Sequence, residues 1–129
     1  MPEGKLVTLV VSRPGAVREA LRAVLACFTQ LEVVGAVGGG LSAMVKIREQ
    51  RPNLLVIDGN ISEDEVLALL AQVRGEQPQV RCIVLVDTPR QRGRLLAAGA
   101  DAIIQRGDPP EHLQAAIERL TALEKGDRT

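Results

Sequence analysis

The chain has no charge of one sign to spare. Its 16 lysines and arginines balance 16 aspartates and glutamates, so no field favours nucleic acid or an anionic membrane over the whole surface. A DNA reader of this size shows a basic excess and a recognition helix, and neither stands out. Cysteine is almost absent. Cys27 and Cys82 cannot make a disulfide scaffold, and with Cys82 inside an apolar run both read as small hydrophobes in a reducing compartment. Long apolar runs are missing too: Met1 to Val11 holds one lysine and a short run interrupted by Thr8, which makes neither a signal peptide nor a membrane span. These absences predict a soluble, cytoplasmic protein with no membrane partner. Histidine occurs once, as His112, with no second ligand near it in sequence, and reads as a surface residue.

What is present is ordinary globular composition, 46% hydrophobic and 25% charged, enough for one packed core. The expectation is a single domain over 1–129, with its core from about 5 to 124 and a frayed tail over 125–129. Five short apolar runs, Leu6–Val11, Leu31–Val37, Leu54–Ile57, Cys82–Val86 and Ala102–Ile104, are continuous rather than alternating. Strands read this way when both faces of a parallel sheet are covered.

Helical periodicity fills every gap. Val17, Ala20, Leu21, Val24, Leu25 and Phe28 form one stripe after Pro14, a residue suited to a first turn. Leu41, Met44, Val45 and Arg48 follow a glycine triplet. Ser62 and Glu65 read as a capping box before Val66, Leu67, Leu69, Leu70 and Val73. Pro89 opens an arginine-rich segment that closes at Ala97, Ala98 and Gly99. Asp108, Pro109 and Pro110 start the last helix, in which Leu113, Ala116, Ile117, Leu120 and Leu123 share a face.

The pattern is (βα)₅, an α/β flavodoxin-like sandwich of three layers around a five-stranded parallel sheet. Chemistry in such sheets collects beyond the carboxyl ends of the strands. That places the search at Ser12–Arg13, Asp58–Asn60, Val86–Thr88 and Gln105–Arg106. The glycines at 35, 38, 39 and 40 follow the second strand rather than the first and lack the lysine of a phosphate loop, so they read as a flexible turn. Arg90, Arg92 and Arg94, with Arg81 and Arg106, read as a solvated face, with a basic edge for an acidic partner as the alternative.

Several stretches resemble the receiver domain of response regulators, the CheY-like fold, particularly the kind attached to helix-turn-helix transcription factors. They are PGAVREAL from Pro14, LEVVG from Leu31, RPNLLVID from Arg51, AGADAIIQR from Ala98 and DPPEHL from Asp108. Spacing agrees without gaps from Val7 to about Val86 and is a little short between Val86 and Gly99. The resemblance implies phosphoryl transfer onto an aspartate at the end of the third strand. Two acids after the first strand help to hold Mg²⁺, and a Thr or Ser and a Lys after the fourth and fifth strands contact the phosphoryl group.

On this chain Asp58 falls on the phosphoacceptor position. The acidic pair falls on Ser12 and Arg13, the hydroxyl on Val86 with Thr88 two residues on, the lysine on Arg106, and the fifth-strand aromatic on Ile103; Asn60 completes the lining. A divalent cation about 6 Å from one guanidinium meets on the order of 5 kcal/mol of repulsion at an effective dielectric near 20. The expectation is therefore weak or absent Mg²⁺ binding, no cofactor and no metal site, with Arg13 reaching across to pair with Asp58. A receiver of this kind works by contact with a protein partner, a sensor kinase or downstream effector, independently of phosphorylation. It is no enzyme and does not itself bind nucleic acid. By analogy a homodimer forms through the fourth helix, fifth strand and fifth helix, where Arg92, Arg94, Glu111, Glu118 and Arg119 mix charges. The alternatives are a working phosphorelay receiver modified on Asp58, a ligand- or nucleotide-binding flavodoxin-like protein, and a piece of a longer transcription factor.

Overall fold

The computed structural model describes residues 5–126. Valine, isoleucine and leucine dominate its five strands, as residues that pack well on a pleated, buried surface should. Strands β1 (Leu6–Val11) and β2 (Leu31–Val37) coincide with the predicted runs, while β3 (Leu54–Asp58), β4 (Arg81–Val86) and β5 (Ala102–Gln105) each extend by one residue. All neighbours pair in parallel, in the order β2-β1-β3-β4-β5.

The helices α1 (Ala16–Ala26), α2 (Gly40–Gln50), α3 (Glu63–Glu76), α4 (Arg92–Ala97) and α5 (Pro110–Gly126) lie between and after the strands, and a 3-10 turn, Pro89–Gln91, leads into α4. Because successive side chains on a strand face opposite ways, the sheet builds two cores. Leu9, Val11, Leu55, Ile57, Val84 and Val86 pack under α2, α3 and α4. Leu6, Val10, Leu54, Val56, Ile83 and Leu85 pack under α1 and α5. This is the predicted three-layer sandwich. Helix α5 continues to Gly126, two residues past the expected end of the core, and the remaining tail, 127–129, lies outside the described residues. No helix among the described residues is long and apolar enough to cross a membrane.

Four local expectations need correction. Pro14 is not in the first turn of α1: Gly15, at φ 141°, is the N-cap and Pro14 precedes it. That helix buries Leu21 and Leu25, while Val17, Ala20 and Val24 of the predicted stripe face outward. On α2 the buried face is Ala43, Met44 and Ile47, and Leu41 stands 85% exposed. Ser62 caps α3 as predicted, accepting from the Glu65 amide at 3.3 Å. The box is not closed, however, because the Glu65 carboxylate accepts from Gly40 N at 2.8 Å and caps α2 instead.

Candidate functional site

The carboxyl ends of β1, β3, β4 and β5 bring Ser12, Asp58, Val86 and Arg106 to one edge of the sheet. Asp58 is fully buried, and a buried carboxylate must be compensated by charge and hydrogen bonds. Ser12 Oγ donates to its Oδ2 at 3.2 Å, and Asn60 N donates to its Oδ1 at 3.3 Å. The charge partner is Arg106, whose Nη2 lies 2.5 Å from Oδ1. Gly59 lets this loop pass: a Cβ there would sit 2.5 Å from the Leu85 carbonyl oxygen.

The expected Arg13–Asp58 pair does not form. Arg13 is exposed and joins the site through its backbone: its N donates to Asn60 Oδ1 at 3.3 Å and its carbonyl accepts from Ser12 Oγ at 3.4 Å. Leaving a strand end, Arg13 has solvent within reach, whereas Arg106 is brought to β4 by its own amide, which donates to Val86 O at 2.7 Å. Asn60 does more than line the site. Its Nδ2 donates to Ser12 Oγ at 3.3 Å, so one side chain ties the loop after β1 to the loop after β3. Val86 is buried in the core, and Thr88 caps the 3-10 turn without a side-chain bond to it.

Two functional residues escaped the sequence reading. Asp87 accepts from Arg106 Nε at 2.7 Å, so one guanidinium bridges two carboxylates. Hydrogen bonds to Asp87 first and Asp58 second raise the Arg106 pKa above its ordinary value, against the opposing effect of burial. Arg18 holds the Ser12 carbonyl with Nε at 3.0 Å and Nη2 at 2.6 Å. The acid beside Val86 was legible as a charge at a strand's carboxyl end; nothing in the sequence marked the reach of Arg18.

Of the arginines read as a solvated face, Arg90, Arg92, Arg94 and Arg106 are exposed, and several are paired as well. Arg94 pairs with Glu63 at 3.0 Å, Arg92 donates to Ile103 O at 3.4 Å, and Arg81 lies 3.8 Å from Asp101. His112 is at the surface as expected, with its Nδ1 3.3 Å from Asp108 Oδ2.

Against this geometry, a profile of the response regulator receiver domain matches residues 9–118. The chain belongs to the response regulator receiver family. It is 29% identical over 121 residues to a protein-glutamate methylesterase/protein-glutamine glutaminase of Hahella chejuensis, covering 90% of this chain and 33% of that protein. It is 25% identical over 108 residues to the DNA-binding transcriptional activator DevR/DosR of Mycobacterium tuberculosis, covering 82% and 50%. The chain thus spans a third to a half of the length of these relatives. Among solved structures, a LuxR-family two-component response regulator from Aurantimonas superposes with a TM-score of 0.83 at 20% identity, over 92% of this chain and 86% of that one. The signal receiver domain of a NarL regulator from Mycobacterium tuberculosis gives 0.76 at 19%, over 95% and 98%. These two likenesses speak for the receiver fold.

The magnesium that the family implies does not fit these residues. A hard divalent cation wants several oxygen ligands, yet Ser12 and Arg13 bring no carboxylate, and both Asp58 oxygens are engaged. Among the described residues no group of three or more His, Cys, Asp or Glu is placed to hold a metal ion.

Proposed function

We propose that this receiver works by protein–protein contact, with Asp58 used as a structural ion-pair partner rather than a phosphoacceptor. The carrying observation is the Arg106 guanidinium on a fully buried Asp58. A cation already sits where an incoming metal would have to compete, and with no acidic pair after β1 there is little to draw the metal that phosphoryl transfer needs. Val86 at the family's hydroxyl position and Ile103 at its fifth-strand aromatic position fit the same reading, since neither supplies the hydroxyl or ring expected there. The domain extends over the whole chain, catalyses no reaction and does not itself contact nucleic acid.

The partner is a sensor kinase or a downstream effector, or a second copy. The surface that suits it is an open groove of about 600 Å³ along β5 between α4 and α5, whose walls include Leu96, Ile103, Arg92, His112 and Arg119. Apolar floor and charged rim together are what a specific contact needs.

An amide-resolved NMR titration with Mg²⁺, then beryllofluoride, tests the proposal. The expected spectrum is silent around Ser12, Asp58 and Arg106. Shifts clustered there would overturn it and favour the second reading, phosphorylation of Asp58, which the position of Asp58 at the end of β3 supports.

A further inference from the structure

We propose that Asp87 is a built-in anion that latches the loop after β4 onto Arg106 and so holds α4 in one position without a phosphoryl group. The proposal deepens the reading above and rests on it, because it gives Arg106 a permanent carboxylate partner on the loop between β4 and α4.

Apolar burial alone holds α4 poorly. The helix is six residues long and buries one side chain, Leu95. By comparison α1 buries two, α2 three and α3 four. With so little core contact, polar ties decide where α4 lies, and the structure supplies them on the loop before α4 and along its first turn. At the front, Asp87 Oδ1 accepts from Arg106 Nε at 2.7 Å. Arg106 is itself rooted, through its backbone amide on Val86 O and its Nη2 on Asp58. It is therefore a fixed post rather than a loose surface cation. On the far side, Glu63 accepts from Gln91 Nε2 at 3.5 Å and pairs with Arg94 Nη2 at 3.0 Å. Between them, Arg92 Nη1 donates to Ile103 O at 3.4 Å.

The charges sum accordingly. One guanidinium faces two carboxylates, one buried and one on the loop, so no external anion is needed to draw the loop inward. Because Pro89, Arg92 and Leu96 form one wall of the groove along β5, a latched α4 presents a constant wall to any partner.

Hydrogen exchange read by mass spectrometry on the full chain tests this, over peptides covering residues 87–98. Asp87 has a side chain 65% exposed, so Asp87→Ala and Asp87→Asn remove the carboxylate without opening the core. Each is expected to speed exchange there about threefold, as loss of one partly exposed ion pair should. Combining Asp87→Ala with Glu63→Gln is expected to speed it about tenfold. Asp87→Glu keeps a carboxylate within reach and is expected to restore slow exchange, whereas Glu49→Gln on α2 changes nothing in these peptides. Exchange in Asp87→Ala and Asp87→Asn equal to wild type would overturn the latch, as would failure of Asp87→Glu to restore it. The two tests separate cleanly. Beryllofluoride shifts in the wild type overturn the underlying reading, while a silent titration with unchanged exchange in Asp87→Ala overturns the latch alone.

Discussion

At the scale of single residues, the energetics of the site turn on the difference in exposure between Asp58 and its partner. Asp58 is fully buried, while the Arg106 side chain is 41% exposed. Removing one member of a buried pair costs about 3–5 kcal/mol because the other charge is stranded. Solvent screening on the Arg106 side reduces that, so Arg106→Ala is expected to destabilise by about 2 kcal/mol in urea denaturation. Arg13→Ala, which removes an exposed side chain without a role in the pair, should stay within about 0.5 kcal/mol of wild type. Equal losses in the two variants would mean that Arg13 also compensates Asp58 in solution. Asp58, Ser12 and Arg106 were legible in sequence because each ends an apolar run, and the carboxyl ends of parallel strands converge. Which arginine reaches the aspartate was not legible, since it depends on side-chain direction after the strand rather than on position along it. Asp87 was overlooked between Val86 and Thr88, the two positions to which the family pattern drew attention.

At the scale of elements, periodicity located every helix but misjudged how much of each one the sheet can cover. The stripe on α5 is the success: Ala116, Ile117 and Leu120 are buried and Leu113 and Leu123 pack against them. On α1 the apolar arc is wider than the sheet, leaving Val17 47% and Val24 48% exposed. On α2 the glycine triplet lets the helix begin at Gly40, and Glu65 caps it from α3. In the helix so placed Leu41 faces outward and Ile47 inward, an orientation that a count of apolar residues does not reveal. Ile47→Ala is accordingly expected to cost about 3 kcal/mol by opening a cavity at a fully buried site. Leu41→Ser should change stability by less than about 0.5 kcal/mol. A large loss for Leu41→Ser in chemical denaturation would show that α2 is rotated from the position described.

For the molecule as a whole, the fold was legible because a doubly covered parallel sheet writes itself as continuous apolar runs separated by helical ones. The site was legible only as a set of loop ends, since its chemistry depends on how four loops share two carboxylates and one guanidinium. If metal binding at this edge of the sheet is a matter of those few charges, the frame should accept two carboxylates after β1. Ser12→Asp with Arg13→Asp adds two negative groups at the carboxyl end of β1 and removes one positive there. Without a metal, the crowded carboxylates repel and Ser12→Asp places a new charge at a fully buried position, so Tm should fall. Mg²⁺ should then raise it again, because a ligand that binds only the folded state stabilises it, by about 2.7 kcal/mol at a hundred times Kd. The wild type, with Arg106 on Asp58 and no acidic pair, should melt at the same temperature with and without Mg²⁺. A thermal melt of both proteins across a Mg²⁺ series distinguishes the cases. Recovery in the variant alone would show that Ser12 and Arg13 decide whether this edge of the sheet takes a metal. A wild-type Tm that climbs with Mg²⁺ would show that the Arg106–Asp58 pair yields to a divalent cation, and phosphorylation of Asp58 would become the stronger reading.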